Sequence, residues 1–517
     1  MKDMECLQRL LALAGPRTVL TLVEGTVHTL SWSCDELQQQ RRYVERVLLA
    51  EGLAAGDRVL VSTANNPQCF AILLAAISLQ LCLMPLHPDF SSQQLQALLE
   101  AQTPRLVIVD DPHRMLAFGE TTVLQIRERA AEWLQPLIAG AALTSASAEV
   151  TAQTNADPPL LLFHSSGSTG QPKGMRFTRS MLNNYLWKLH ELYGAFPDKP
   201  VSDSYSDRVN VLPVTHFGGL SFCLLAMLEG RCLHLLRSHD ARDHLALLRK
   251  LRCQLVLLVP ALWQELLSGD TGNALPDLRH CLAMGESISH SQLQQLSARL
   301  ALPVHNAYGM SECLTGIYNT AALIEPPGSC GRLHFGEAKL LAADGSENQS
   351  EGELCVRNIT TRPCYTSEEL NFRKYRDGWF HTGDLFRRDM DGFYFFVSRA
   401  DLMCVINGRN VYPQEVELIL REHPSIHFCI AAPIQLEDGR QRLAAAVELA
   451  AGASVTANAL VDFYLQRGAV YATPVWVQFF AALPRNGGDK PDRARCRHLL
   501  QLGYSLSRQL APAGTNA

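Results

Sequence analysis

The fourteen residues from Phe163 to Arg176, FHSSGSTGQPKGMR, concentrate hydroxyls, glycines and a single lysine before their closing arginine. Such a loop can hold a polyphosphate. Gly167 and Gly170 leave main-chain N–H groups bare towards an approaching anion, and Ser165, Ser166, Ser168 and Thr169 add hydroxyl donors. Lys173 adds a positive charge that can follow phosphate oxygens as charge moves between them. A P-loop would need glycine, four residues, then Gly-Lys-Ser/Thr; here Lys173 lies between Pro172 and Gly174, so the loop is of another kind. A flexible Ser/Gly linker is the plain alternative, against which stands the apolar run LLLF at 160–163, read as a buried strand that feeds the loop.

Five further stretches carry residue types suited to the same chemistry. PVTHFGGL at 213–220 follows a strand with His216, Phe217 and the glycines Gly218 and Gly219, as a pocket wall does where a backbone must approach a ligand; a lone histidine is more often structural. AMGES at 283–287, with Gly285, reads as a small-residue strand end and precedes HNAYGMSE at 305–312. In the second, Tyr308 can stack on a flat base, Asn306 can hydrogen-bond its edge, Gly309 lets an acyl group lie against the backbone, and Glu312 is a hard oxygen ligand suited to magnesium. The plain reading of that stretch is a polar turn. In DGWFHTGDLFRRDMDGFYFFVSRADL, 377–402, Asp384 follows a Thr-Gly turn and can accept both hydroxyls of a ribose, while Arg399 can donate to ribose or phosphate; a surface ion pair is the plain reading of either. LPRNGGDKPDR at 483–493 presents Lys490 after Gly487 and Gly488, and by composition alone it is one more surface lysine.

The elements that must position these residues alternate. Ser33 and Glu36 form a capping box for a helix that Gly52 ends, followed by a strand at 57–62, a helix near Cys69–Gln80, a helix at Ser91–Leu99 and a strand at 105–111. A helical stretch is expected near Val123–Leu134, stopped by Pro136. After the loop come a helix near Ser180–Tyr193, strands at 208–214, 232–236 and 254–260, and helices through Phe222–Leu228 and Ala241–Leu251. This order predicts an α/β fold with two doubly wound sheets. Strands near 328–332 and 351–357 predict a β-rich subdomain, and a compact α+β unit starts with a helix from Pro413 through Leu420, strands at 427–432 and 442–449 and a helix at Ala457–Arg467.

A chain of 517 residues exceeds one ordinary core. Its net charge of −5 provides no basic stripe, which argues against nucleic acid as a partner. The 15 cysteines are scattered without any pair at two-residue spacing, so the spacing gives neither a disulfide framework nor a zinc site and favours a reducing compartment. The segment Cys69–Leu86 is interrupted by Ser78 and Gln80 and is short of a bilayer span, and the N-terminus lacks the pattern of a signal sequence. A cytoplasmic protein without a membrane span is expected.

The loop at 163–176, together with YGMSE, TGDL, the Arg399 stretch and the Lys490 loop, resembles the ordered motifs of the adenylate-forming (ANL) superfamily of acyl- and aryl-CoA synthetases, acyl-AMP ligases, peptide-synthetase adenylation domains and luciferases, from about residue 20 to 500. The resemblance implies an N-terminal adenylation domain, 1–399, and a C-terminal mobile domain, 400–517, hinged at Asp401 and carrying the catalytic lysine as Lys490. It implies ATP and Mg²⁺, with Thr169 and Glu312 on the metal, and Ser311 where threonine is common. Gly408 would line the tunnel for the thiol of coenzyme A or of a phosphopantetheinyl carrier protein. Phe217 stands where amino-acid-activating members usually place an aspartate, so an apolar or aromatic small carboxylic acid is expected and an amino-acid adenylation enzyme is the alternative. A luciferase-like oxidoreductase and a non-catalytic nucleotide-binding relative are the readings of other classes. INGRNVYPQEVE resembles acyl-AMP ligases serving an acyl carrier protein, yet only 21 residues separate Arg357 from Trp379, where those enzymes usually carry an insertion. Many coenzyme A ligases have lysine where Asn407 stands, and Asp489 replaces the glycine that usually precedes the catalytic lysine.

Overall fold

The computed structural model describes residues 5–24, 27–87, 90, 92–111, 121–127, 132–138, 157–165, 173–194, 207–210, 212–236, 241–251, 253, 255–260, 262–263, 275, 278–285, 288, 290–319, 326, 328–406, 408–485 and 491–510. Local signals set several elements. The Ser33 hydroxyl accepts the Glu36 N–H (3.2 Å) and the Glu36 carboxylate accepts the Ser33 N–H (2.7 Å), which starts the helix Cys34–Ala50. Asn66 caps Pro67–Ser78 through Cys69 N–H at 2.9 Å, and that helix is buried over most of its length. Its uninterrupted apolar run is thus a core helix.

The first sheet has seven strands in the order Leu134–Ile138, Thr122–Ile126, Leu106–Val109, Arg58–Ser62, Cys82–Leu86, Pro159–Ser165 and Lys173–Thr178, parallel through its middle and antiparallel at both ends. The helix expected at Val123–Leu134 is corrected here. Val123, Leu124, Ile126 and Leu134 are buried in two antiparallel strands, the first of which is paired on one edge with Leu106–Val109 and on the other with Leu134–Ile138. Tertiary pairing sets the conformation of these two stretches over the local pattern that suggested a helix.

The second wound sheet divides. Leu255–Leu258, His280–Met284 and Val304–Ala307 form three parallel strands. Arg208–Asn210 and Leu233–Leu236 join instead the N-terminal strands Thr18–Glu24 and Val27–Ser33 in a four-stranded mixed sheet. The expected strand at 208–214 is shorter than its apolar run, and the helix expected from Phe222 begins at Phe217. An eight-stranded antiparallel sheet spans Ile317 to Arg399, with Trp379–Arg388 between Glu351–Arg357 and Phe393–Arg399.

The smaller C-terminal part holds the hairpin Cys404–Ile406 and Arg409–Val411, a three-stranded sheet (Ile426–Gln435, Gln441–Leu449, Trp476–Phe480) and the helices Pro413–Leu420, Ala457–Leu465 and Arg493–Leu510. Its two apolar clusters draw on residues from Cys404 onward, whereas the largest cluster runs from Cys6 to Tyr394. Among the described residues no helix is long and apolar enough to cross a membrane, and all 15 cysteines are free.

Candidate nucleotide and acyl site

The glycine- and hydroxyl-rich stretch is the connection of an antiparallel hairpin. Ser165 pairs with Lys173 and His164 with Gly174, so the ends of segment 166–172 are held at a sheet edge. Ser166, Gly167, Ser168, Thr169 and Gly170 lie outside the described residues. Gly174 is a close-approach position: an added Cβ would stand 2.7 Å from Thr366 Oγ1, and Thr366 N–H donates to the Gly174 carbonyl at 2.9 Å. Burial lowers the pKa of His164 to about 4, so it is neutral at physiological pH and Lys173 is the cation at the hairpin's base.

Gly285 follows the strand His280–Met284 and Tyr308 follows Val304–Ala307, paired in parallel with Met284 opposite Ala307. Both therefore sit beyond the carboxyl ends of parallel strands, where open α/β sheets bind ligands. Tyr308 donates to Asp384 Oδ2 at 2.6 Å, its ring meets Phe386 edge-on at 4.7 Å, and its carbonyl accepts the Thr315 hydroxyl at 3.0 Å. Burial raises the pKa of Asp384, while Tyr308, Arg399 and Lys374 draw it back down. Burial and the facing carboxylate hold the Tyr308 phenol well above its ordinary range, so the hydroxyl stays a donor. Asp384 and Arg399 are opposite one another in the antiparallel ladder, and the Arg399 guanidinium makes a two-pronged contact with Asp401 at 2.9 and 2.7 Å. Asn306 is 9% exposed and donates to Cys330 Sγ at 3.4 Å. Gly309 packs towards Met284, whose sulfur would lie 3.4 Å from an added Cβ. Ser311 and Glu312 follow in the turn after it, and Glu312 Oε1 accepts the Tyr365 hydroxyl at 2.7 Å.

Two residues that sequence reasoning missed complete this polar wall. Tyr365 fixes Glu312 and, through Thr366, joins it to the base of the hairpin. Lys374 donates to the Thr382 carbonyl at 3.2 Å, and its Nζ would stand 2.6 Å from a Cβ at Gly383, whose φ of +79° also requires glycine. Burial lowers the Lys374 pKa, Glu353 and Asp384 raise it, and Arg399 lowers it again. No periodicity marks either residue: the Tyr365 partner Glu312 is 53 positions away, and Lys374 reaches Thr382 across a strand turn.

The segment expected to border the acid is apolar. Phe217 opens the helix Phe217–Leu228, stacks on Phe177 at 3.9 Å and meets Tyr185 and Phe163 edge-on at 4.6 and 5.5 Å. At 2% exposure its ring belongs to the core behind the wall. His216 occupies the N-cap position, with its ring 6.0 Å from that of His87. Gly218 is exposed and an added Cβ would meet nothing within 4 Å, whereas at Gly219 it would strike the Pro213 carbonyl at 2.4 Å. The backbone at Gly218 is therefore the open part of this segment.

In the C-terminal part, Asp401 lies in a short 3₁₀ turn, Ala400–Leu402, and Gln414 Oε1 accepts Arg399 N–H at 2.7 Å across it. Gly408 stands in the turn of the hairpin, with open space where a Cβ would be. Lys490 lies outside the described residues, but both ends of its segment are fixed: Arg485 and Pro491 form a β-bridge, and Arg493 makes a double contact with buried Glu417 at 2.6 Å on each prong.

Comparison with known proteins adds a family. The model described as AMP-binding enzyme matches residues 16–366. A 2-succinylbenzoate–CoA ligase of Geobacillus kaustophilus is 26% identical over 480 residues, covering 90% of this chain and 92% of the ligase. A fatty acid–acyl-carrier-protein ligase, ScoC, of Streptomyces coeruleorubidus is 26% identical over 515 residues, covering 93% of each chain. In fold, the chain resembles the o-succinylbenzoate CoA synthetase of Bacillus subtilis solved with its acyl-adenylate intermediate (TM-score 0.78, 22% identity, 95% of this chain and 97% of that one).

Proposed function

Since this chain belongs to the AMP-binding enzyme family of adenylate-forming enzymes, we propose that it joins an apolar or aromatic carboxylic acid to the AMP part of ATP, releases pyrophosphate, and passes the acyl group to a phosphopantetheine thiol with release of AMP. It is an AMP-forming acid–thiol ligase. The observation that carries the reading is the polar wall in which Tyr308, Asp384 and Lys374 are linked and Glu312 is fixed by Tyr365, beside the hairpin that ends in Ser165 and begins again at Lys173.

A carboxylate oxygen does not leave by itself. Bonded to the α-phosphorus it becomes part of AMP, and the attacking group needs no general base because it is already an anion. Asp384 would accept the ribose hydroxyls, Tyr308 would face the base, and Ser165, Thr169, Lys173 and their loop would follow the departing pyrophosphate. Asn306, Ser311 and Arg399 would complete the nucleotide's contacts. Glu312, a hard oxygen donor already oriented by Tyr365, fits magnesium, and with Thr169 it would hold the ion that neutralises phosphate charge. His216, Gly218, Gly285 and Gly309 would border the acid, with Phe217 supporting them from the core. Lys490 would bridge the carboxylate and α-phosphate in the first half-reaction; turning residues 400–517 about Asp401 would then bring Gly408 and the thiol path to the acyl-adenylate.

The two curated relatives named above differ in acceptor, coenzyme A for one and acyl carrier protein for the other, and both thiols are therefore offered in the test. The free cysteines support a cytoplasmic setting. ATP–pyrophosphate exchange across aryl, short-chain, fatty and amino acids should appear with an apolar or aromatic acid and fall by about a hundred- to a thousandfold in Lys490→Ala. The thiol that then releases AMP identifies the acceptor. Exchange with amino acids alone, or with no acid, would reject the proposal.

A further inference from the structure

Among the described residues, two clusters bring three metal-ligating atoms within 4.8 Å of one another: Glu353, Cys355 and His381, and separately Asp207, Cys232 and His234. The first is opposed by its neighbours. Arg376 Nη2 lies 2.9 Å from His381 Nδ1, Lys374 and Lys339 bear on Cys355, and Glu353 Oε1 already accepts Gly383 N–H at 2.9 Å. A fixed guanidinium on the ligand nitrogen repels a cation.

The second cluster lies on the four-stranded sheet and is differently surrounded. Arg208–Asn210 runs parallel to Leu233–Leu236 with Arg208 opposite Leu233 and Val209 opposite His234. Strand alternation then sets Asp207, Cys232 and His234 on one face, since residues two apart point the same way. The flanking arginines are turned aside: Arg208 and Arg231 both pair with Glu229, at 3.2 and 2.6 Å. His234 is 3% exposed, and neither ring nitrogen is in hydrogen-bonding alignment with a partner, although Nε2 stands 3.2 Å from Asp207 Oδ2. Cys232 Sγ lies 3.7 Å from Thr21 Oγ1. The His28 ring is 5.2 Å from that of His234, brought there by a register slip between Leu22 and Val23 that sets Val23 opposite His28.

We propose that Asp207, Cys232 and His234, with exposed His28 as fourth donor, form a zinc site separate from the ligase chemistry. Zn²⁺ takes this mixture of sulfur, nitrogen and oxygen in tetrahedral geometry, with ligand distances of about 2.0–2.3 Å. Such distances place neighbouring ligand atoms roughly 3.3–3.6 Å apart, close to the 3.2 Å already present between His234 and Asp207. One thiolate and one carboxylate balance the ion's charge, and binding releases to solvent both the Cys232 thiol proton and the proton held on the His234 ring. The ion would tie together strands that start at residues 27, 208 and 233, which no cysteine spacing in the sequence foretells. The competing occupant is a proton: burial works against it, but the adjoining Asp207 carboxylate and Cys232 thiol outweigh burial and lift the His234 pKa to about 9.

The full chain, stripped with a chelator and titrated with Co²⁺ as the spectroscopic substitute for zinc, should bind one equivalent with tetrahedral visible bands and a thiolate-to-cobalt band in the near ultraviolet. Cys232→Ser should abolish the thiolate band, Asp207→Asn should weaken binding at least tenfold, and Cys355→Ser should leave both unchanged. Zinc should raise the thermal midpoint of the stripped wild type but not of Asp207→Asn, a part-exposed position whose variant reports even if Cys232→Ser fails to fold. No stoichiometric cobalt binding, or a thiolate band that survives in folded Cys232→Ser, overturns the site and leaves a histidine–aspartate ion pair only. Neither result bears on ATP–pyrophosphate exchange.

Discussion

The two walls proposed for the site, one for the nucleotide and one for the acid, are built on opposite principles. At the nucleotide wall, Tyr308 donates to Asp384, Lys374 to the Thr382 carbonyl and Arg399 to Asp401, and the Asp384 and Lys374 charges, both displaced from their usual pKa by burial, act on each other. At the acyl wall, Phe163, Phe177, Tyr185 and Phe217 hold a backbone edge by ring packing, and the open position is a glycine. Fixed dipoles and charges suit a ligand whose polar groups never change, whereas a packed support behind a bare backbone suits an acid selected by shape. Stability should therefore reside mainly in the acyl wall and nucleotide affinity in the other.

Three substitutions can break or sharpen this contrast. Phe217→Ala should cost about 3–5 kcal/mol in urea unfolding, the loss of a fully buried aromatic ring, while KM for ATP stays near wild type. If stability is unchanged and acid selectivity alone shifts, the ring lines the pocket and the division fails. Asp384→Ala removes an acceptor of two charge-assisted hydrogen bonds and should lower kcat/KM for ATP about a hundredfold, roughly 3 kcal/mol. Its unfolding free energy should hardly fall, because burial already disfavours that carboxylate; a loss matching that of Phe217→Ala would make it a structural residue. Smallest is Lys374→Met, with kcat/KM for ATP down about tenfold.

Lys374 also gives a pH signature. Its folded-state pKa lies below the ordinary lysine value, chiefly through burial. The folded state thus binds fewer protons than the unfolded between those two values, and stability linked to this group rises with pH across that window and is absent below it. Nucleotide affinity should run the other way, falling on the alkaline side before an ordinary lysine would titrate. Lys374→Arg, which stays charged, should remove that fall; a titration identical to wild type would take Lys374 out of the nucleotide wall.

The legible features were those governed by neighbours in sequence. The capping box at Ser33, the apolar strand before the hydroxyl-rich loop and the helix beginning at Pro413 depend on residues a few positions apart, and each stands where its spacing puts it. The segment at 122–138 was misread because helix-forming residues were overruled by pairing with a strand 16 positions earlier. Tyr365 was invisible for the same reason, its role being set by Glu312, 53 positions away, whereas Lys374 was missed because its contact with the Thr382 carbonyl, eight positions on, depends on the strand pairing that folds the chain back. Of the named site residues, Tyr308 and Asp384 meet across 76 positions, while Lys490 and residues 166–170 lie outside what the structure describes.

The Arg485–Pro491 bridge and the Arg493–Glu417 clamp tie the residues on both sides of segment 486–490 to the C-terminal part. On the proposed mechanism the amine of Lys490 would then be carried by that part as a unit, and the timing of the cycle would belong to the part's position.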